Sequence, residues 1–121
     1  MTDEHEARQF TSADAFRAWL TEHEDDSPGV WLTIAKKGSR QTLVTYQEAL
    51  VVALEHGWID AQARRRDEET YLQRFTPRRP RSPWSLPNIR RAEAMIEAGT
   101  MAPRGLVEVA RARADGRWDS S

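Results

Sequence analysis

Four prolines, Pro77, Pro80, Pro83 and Pro87, fall within eleven residues of this chain. Each lacks a backbone donor, fixes its own φ and pushes the residue before it out of the helical region. Regular helix or sheet is therefore barred through most of 77–87, and the elements on either side must meet across an irregular loop. Arg78, Arg79, Arg81, Ser82 and Trp84 are interleaved with these prolines, and Arg74 lies just upstream. The loop is as cationic as it is constrained.

Upstream, Ser12 precedes a stretch in which Phe16, Trp19 and Leu20 share a helical face, which predicts a helix over 13–24 ended by Asp26-Ser27-Pro28-Gly29. Val30, Leu32 and Ile34 alternate with Trp31, Thr33 and Ala35, predicting a strand over 29–36 with both faces covered. After the basic turn Lys36-Lys37-Gly38-Ser39, Thr45 opens a second helix with Glu48 in the capping-box position. Tyr46, Ala49, Leu50 and Ala53 share its apolar face, and Gly57 suits its left-handed end. Residues 58–62 and 71–75 read as the two strands of a hairpin. Beyond the prolines, Ser85 caps a third helix with Ile89, Ala92 and Ile96 inward and Gly99 at its end. Pro103 begins a fourth, carrying Leu106, Val109 and Ala110 and closed by Asp115-Gly116. The expected architecture is α+β, a small antiparallel sheet of three to four strands packed with about four helices.

A length of 121 residues suits one domain. The expectation is a single unit over 1–121, partly flexible at 1–10, with 77–87 as its Pro/Arg-rich loop. The absence of cysteine excludes disulfides, a thiol nucleophile and thiolate metal sites. His5, His23 and His56 lie far apart in sequence with no paired spacing, so no metal site is expected. Phosphate-cradling and serine-hydrolase glycine motifs are missing, and no cofactor is expected. No apolar run approaches the length of a membrane span, so no membrane insertion is expected. The acidic start MTDEHEARQF lacks the basic end and apolar stretch of a secretory signal, which points to a cytoplasmic protein.

The formal net charge of −1 conceals an asymmetry. Residues 1–30 hold eight acids against two arginines, whereas 64–91 hold nine arginines against Asp67, Glu68 and Glu69. One basic face is expected on a nearly neutral protein. Its centre is an anion site built from Arg74, Arg78, Arg79, Arg81 and the helix start Ser85 to Asn88, with Trp84 in its middle, because guanidinium forks and the free amides of a helix start both take phosphate or carboxylate. The plain alternative is that these arginines pair with the acidic N-terminal third and that Trp84 pins the loop to the core. Trp58 and Asp60 share a strand face, with Gln62 and Arg64 following in the same row. Asp60 is accordingly a candidate general base, the alternative being a buried carboxylate that holds an arginine of 74–81. Lys36 and Lys37 either extend the positive surface or solvate a turn. Trp84, with Trp58 and Trp118 behind it, is a candidate ligand platform.

The run from Phe75 to Ser85, together with Gly57-Trp58-Ile59-Asp60, Ser27-Pro28-Gly29-Val30-Trp31, Ile34-Ala35-Lys36-Lys37-Gly38, Thr45-Tyr46-Gln47-Glu48-Ala49 and Asp115-Gly116-Arg117-Trp118, resembles the YdeI/OmpD-associated, or bacteriocin-protection, family from about Phe16 to Trp118. The resemblance implies an α+β fold, a bacterial intracellular protein and a role in stress or bacteriocin protection, without defining a molecular activity. Similar proteins carry a lysine and a β-branched residue where this chain has Leu86-Pro87, and a cysteine before Gly57-Trp58. They also continue past Trp118 with further helices, so this chain resembles a short form. The expected function is a binding domain whose Arg/Trp-rich loop takes an anionic small molecule or protein partner. Single-stranded nucleic-acid binding through arginines and Trp84, and a small-molecule enzyme using Asp60 with Arg78 or Arg79, are the alternatives. The sequence leaves the oligomeric state open.

Overall fold

The computed structural model describes residues 7–118 and has four helices and a three-stranded antiparallel sheet. In chain order these are α1 (Ala13–His23), β1 (Val30–Ala35), α2 (Tyr46–Glu55), β2 (Trp58–Arg65), β3 (Thr70–Pro77), α3 (Leu86–Ala98) and α4 (Pro103–Ala114). Of the segment expected to be flexible, residues 1–6 lie outside the described residues, while Arg8 bridges in parallel to Leu32 at the margin of β1.

Local chemistry sets most helix ends. The Ser12 hydroxyl accepts from the Ala15 amide at 3.1 Å, and the Ser85 hydroxyl accepts from the Asn88 amide at 3.3 Å. Thr45 and Glu48 form a complete capping box, the Glu48 amide donating to Thr45 Oγ1 at 3.2 Å and the Thr45 amide to Glu48 Oε1 at 2.9 Å. Gly99 ends α3 in the left-handed region, which a side chain would strain.

In the sheet, β3 lies between β1 and β2. Two expectations are corrected here. Pro77 belongs to the sheet, paired with Trp58 at the end of β3. The ladder to β1 has already stopped at Val30 opposite Phe75, so Pro77 has a neighbour on one side only and its missing N–H interrupts nothing. A register shift between Asp60 and Ala63 then breaks the row expected on β2, because an extra residue in one strand turns its successors over. Asp60 stands opposite Phe75, whereas Arg64 stands opposite Leu72, and the Arg64 guanidinium lies 4.8 Å from the Trp31 ring centroid.

Helix α2 runs through the core, with Ala49, Leu50, Val52, Ala53, Leu54 and Glu55 all buried and α1, β2, α3 and α4 packed around it. The aromatic rings continue this core. Phe16 lies 5.8 Å from Phe75, and Trp19 meets Trp58 edge-on at 6.1 Å. The face of α4 also differs from expectation. Gly105, Glu108, Val109 and Ala112 point inward, while Leu106 is 44% exposed and Ala110 faces solvent. Gly105 decides this rotation, since a Cβ there would stand 2.1 Å from the Glu55 carbonyl oxygen. The Ala102 amide donates to that oxygen at 3.1 Å, so the start of α4 is bonded to the end of α2 with no room between them. Gly105→Ala is expected to destabilise the fold by about 1–3 kcal/mol through overpacking, seen as a lower Tm in thermal unfolding, although alanine is the better helix former.

Candidate functional site

The proline-rich segment is folded down onto the core by its own arginine. Arg78 is 5% exposed, and its guanidinium carbon lies 3.7 Å from the Trp84 ring centroid. Its Nη1 donates to the Pro83 carbonyl at 3.0 Å and its backbone amide to Gly57 O at 3.0 Å. Burial pushes the Arg78 pKa down to about 10, with Glu108 pulling it up, Arg117 down and Asp60 up, so it is still a cation at neutral pH. From the other side, Arg117 Nη1 donates to the Ser82 carbonyl at 2.6 Å, while its Nε donates to both Asp115 oxygens at 2.8 Å. Trp118 meets the Trp84 ring at 4.9 Å, nearly edge-on. The Asp115-Gly116-Arg117-Trp118 turn therefore clamps the loop from outside, which is the structural use of that motif.

Holding Trp84 in this way shapes one wall of a cavity of about 620 Å³. Tyr46 and Leu50 come from α2, Ile59 and Asp60 from β2, Pro83, Trp84 and Ser85 from the loop, and Pro87, Asn88 and Arg91 from α3. The Tyr46 hydroxyl donates to Asp60 Oδ2 at 2.8 Å. Burial and then the hydrogen bond to Asp60 push the Tyr46 phenol up to about 12, with the Asp60 and Tyr71 charges adding and Arg91 opposing. On α3, Arg91 Nη1 donates to Asn88 Oδ1 at 2.9 Å. The first turn of α3, with Ser85 as its cap, opens on the same cavity, where Pro87 has no N–H and the Asn88 and Ile89 amides donate to Ser85, so the positive end offered beside the Arg91 guanidinium is that of the helix dipole.

Of the expected site residues, Asp60, Trp84, Ser85 and Asn88 are brought together here. Arg78 lies behind Trp84, engaged with the ring and the Pro83 carbonyl, and is unavailable to a ligand from solvent. Arg79 and Arg81 are exposed but line no part of the cavity. Trp58 is fully buried beneath Trp19, so it is core and not a platform. Lys36 donates to Asp67 O at 2.8 Å, and Lys36-Lys37 follow Ala35, which pairs with Thr70 at the far end of β3, about 20 Å along the strand from Pro77. Asp60 accepts a hydrogen bond from a tyrosine, and its charge also acts on Arg78 and raises that pKa. Of the acids of the N-terminal third, Asp3, Glu4 and Glu6 lie outside the described residues, and the described Asp14 and Asp25 meet arginines outside the loop. Glu55 of α2 holds Arg17 through two bonds of 2.8 Å, Arg17 also pairs with Asp14, and Asp25 takes Arg104 at 2.8 Å. Sequence reasoning missed Tyr46, assigned to the core, and Arg91. The spacing of Arg91, three residues past Asn88 on the face of the Ser85 cap, was the available signal.

Among the described residues, no group of His, Asp and Glu is placed to hold a metal ion, and no helix is long and apolar enough to cross a membrane. Fold and cavity define a small α+β domain with a charged pocket at the junction of a helix start and a strand. The chain belongs to the family described as a domain of unknown function (DUF8412), whose profile matches residues 8–108. No match was found among curated proteins, and none among solved structures.

Two measurements follow from this geometry. Arg78→Ala is expected to cost about 2 kcal/mol, from the lost contact with Trp84 and the lost bond to Pro83, and to shift tryptophan fluorescence. Arg78→Met costs less, because it fills the space without burying a charge, and Arg79→Ala leaves Tm unchanged. Second, in an ultraviolet titration of phenol ionisation, one tyrosine titrates near pH 12, later than the value of about 10 for a free phenol, and Tyr46→Phe removes that step.

Proposed function

We propose that this protein is a binding domain for a small anionic molecule seated in the cavity between α2, β2, the 83–88 turn and α3. The observation that carries the reading is the Arg91 guanidinium. It is half-buried, forms no ion pair among the described residues, and sits in the same cavity as the start of α3. A guanidinium fork beside the positive end of a helix dipole attracts carboxylate or phosphate, and partial burial strengthens that attraction relative to water. Trp84, Leu50 and Ile59 supply apolar walls for the rest of the ligand. The anion holder in this reading is Arg91 with Ser85 and Asn88, while Arg78 acts indirectly by setting the position of Trp84. The resemblance to YdeI/OmpD-associated proteins supports a setting in bacterial stress or bacteriocin protection.

A second reading, enzymatic proton transfer at Asp60, is favoured by one observation. The carboxylate is half-exposed in the cavity and bonded to Tyr46, instead of being sealed in the core. Its cationic partner in that case is Arg91, since Arg78 is stacked on Trp84 and Arg79 is outside. Base stacking of nucleic acid on Trp84 has less support, because Arg78 covers one face of a ring that is only 9% exposed.

Hexanoate, a carboxylate with an apolar tail, is a suitable probe. Calorimetric titration is expected to show binding to the native protein that weakens by roughly 10- to 100-fold in Arg91→Gln, the loss of one charge-assisted contact. Unchanged affinity in that variant overturns the reading.

A further inference from the structure

The cavity carries a second charge besides Arg91. Asp60 receives one hydrogen bond, from the Tyr46 hydroxyl to Oδ2, and its charge reaches the buried Arg78, but no described cation lies within ion-pairing distance of it. Arg91 has the Asn88 side-chain oxygen as its partner and no carboxylate among the described residues. The two opposite charges thus border one cavity from different elements, Asp60 from β2 and Arg91 from α3, without pairing with each other. Half-buried charges of opposite sign attract across a low-dielectric space, and each is more stable with a partner. Here each is held back by a neutral neighbour. Tyr46 holds Asp60, and Asn88 occupies one donor of Arg91. Between them the lining is Leu50, Ile59, Pro83, Trp84 and Pro87, which offers little to a polar middle section.

Resting on the anion-binding reading, we infer that the natural ligand is amphoteric: a small amino acid or similar molecule with an anionic group held by Arg91 and the start of α3, a protonated amine held by Asp60, and an apolar span between. A simple anion satisfies Arg91 but brings its own negative charge near an unpaired carboxylate. A simple amine has the converse fault at Arg91. Only a molecule with both groups answers both walls, and the neutral Tyr46 hydroxyl, which does not ionise at physiological pH, leaves Asp60 as the carboxylate that the amine meets.

Compounds of equal chain length separate this inference from the reading beneath it. Hexanoate, hexylamine, 2-aminohexanoate and 6-aminohexanoate are titrated calorimetrically into the native protein, Asp60→Asn, Tyr46→Phe and Arg91→Gln, with near-ultraviolet circular dichroism confirming that each variant is folded. At least one aminohexanoate is expected to bind the native protein about tenfold or more tightly than hexanoate and hexylamine, corresponding to roughly one charge-assisted contact. In Asp60→Asn that preference disappears while hexanoate binds as well as before or better. In Tyr46→Phe, where the carboxylate is retained, the preference persists. If hexanoate binds the native protein as tightly as both aminohexanoates, and does so through Arg91, the amphoteric ligand is overturned and the anion site stands. If neither hexanoate nor an aminohexanoate binds, or if Arg91→Gln changes nothing, the anion site fails and this inference fails with it.

Discussion

Six of the ten residues of helix α2 are buried, and the rest of the molecule is arranged around that fact. Ten residues cannot form a stable helix alone, so the burial of Leu50, Val52, Ala53 and Leu54 by α1, β2, α3 and α4 is what makes it one. Its two ends then serve different purposes. The C-terminal end is locked, since Glu55 ties back to Arg17 through its side chain and to Ala102 through its carbonyl, with Gly105 packed against that carbonyl. The N-terminal end is less enclosed, and Tyr46 there reaches Asp60 at the border of the cavity. Rigidity at one end fixes the position of the polar pair at the other.

The arginine-rich loop repeats this division between structural and available charge. Arginine can cover an aromatic face, donate to carbonyls and keep its charge when partly desolvated, and a buried ammonium would do this less well. Arg78 and Arg117 use these properties on Trp84, Pro83 and Ser82 and so convert a stretch with no regular secondary structure into a defined wall. Four prolines lower the entropy lost in ordering that wall, because their φ angles are already restricted in the unfolded chain. The guanidinium left facing the cavity is on a helix three residues past the loop's last cap contact, not in the loop itself.

Elements whose signals are local were legible. The caps at Ser12, Thr45 and Ser85, the left-handed Gly99 and the apolar alternation of β1 depend on residues a few positions apart, and each appears where the spacing put it. Pairing across the chain was less legible. The shift between Asp60 and Ala63 carries no local marker, yet it sends Arg64 to the sheet face opposite Asp60 and over Trp31. The helical period of α4 is compatible with Leu106 and Ala110 beside Val109 on the inner face, or with Gly105 and Ala112 there, and the close approach of Gly105 to Glu55 chooses between them.

By itself, then, the sequence determined an α+β chain with its helix starts, a cysteine-free chemistry and an irregular cationic loop, because proline, glycine and capping side chains act on their own backbone. It also put Asp60, Trp84, Ser85 and Asn88 among the residues of interest. Only the tertiary structure decided which arginine is stacked on a ring and which borders the cavity. Composition gives every guanidinium the same charge, whereas burial against an aromatic ring, as at Arg78, or placement beside a cavity, as at Arg91, depends on surfaces assembled from residues distant in the chain.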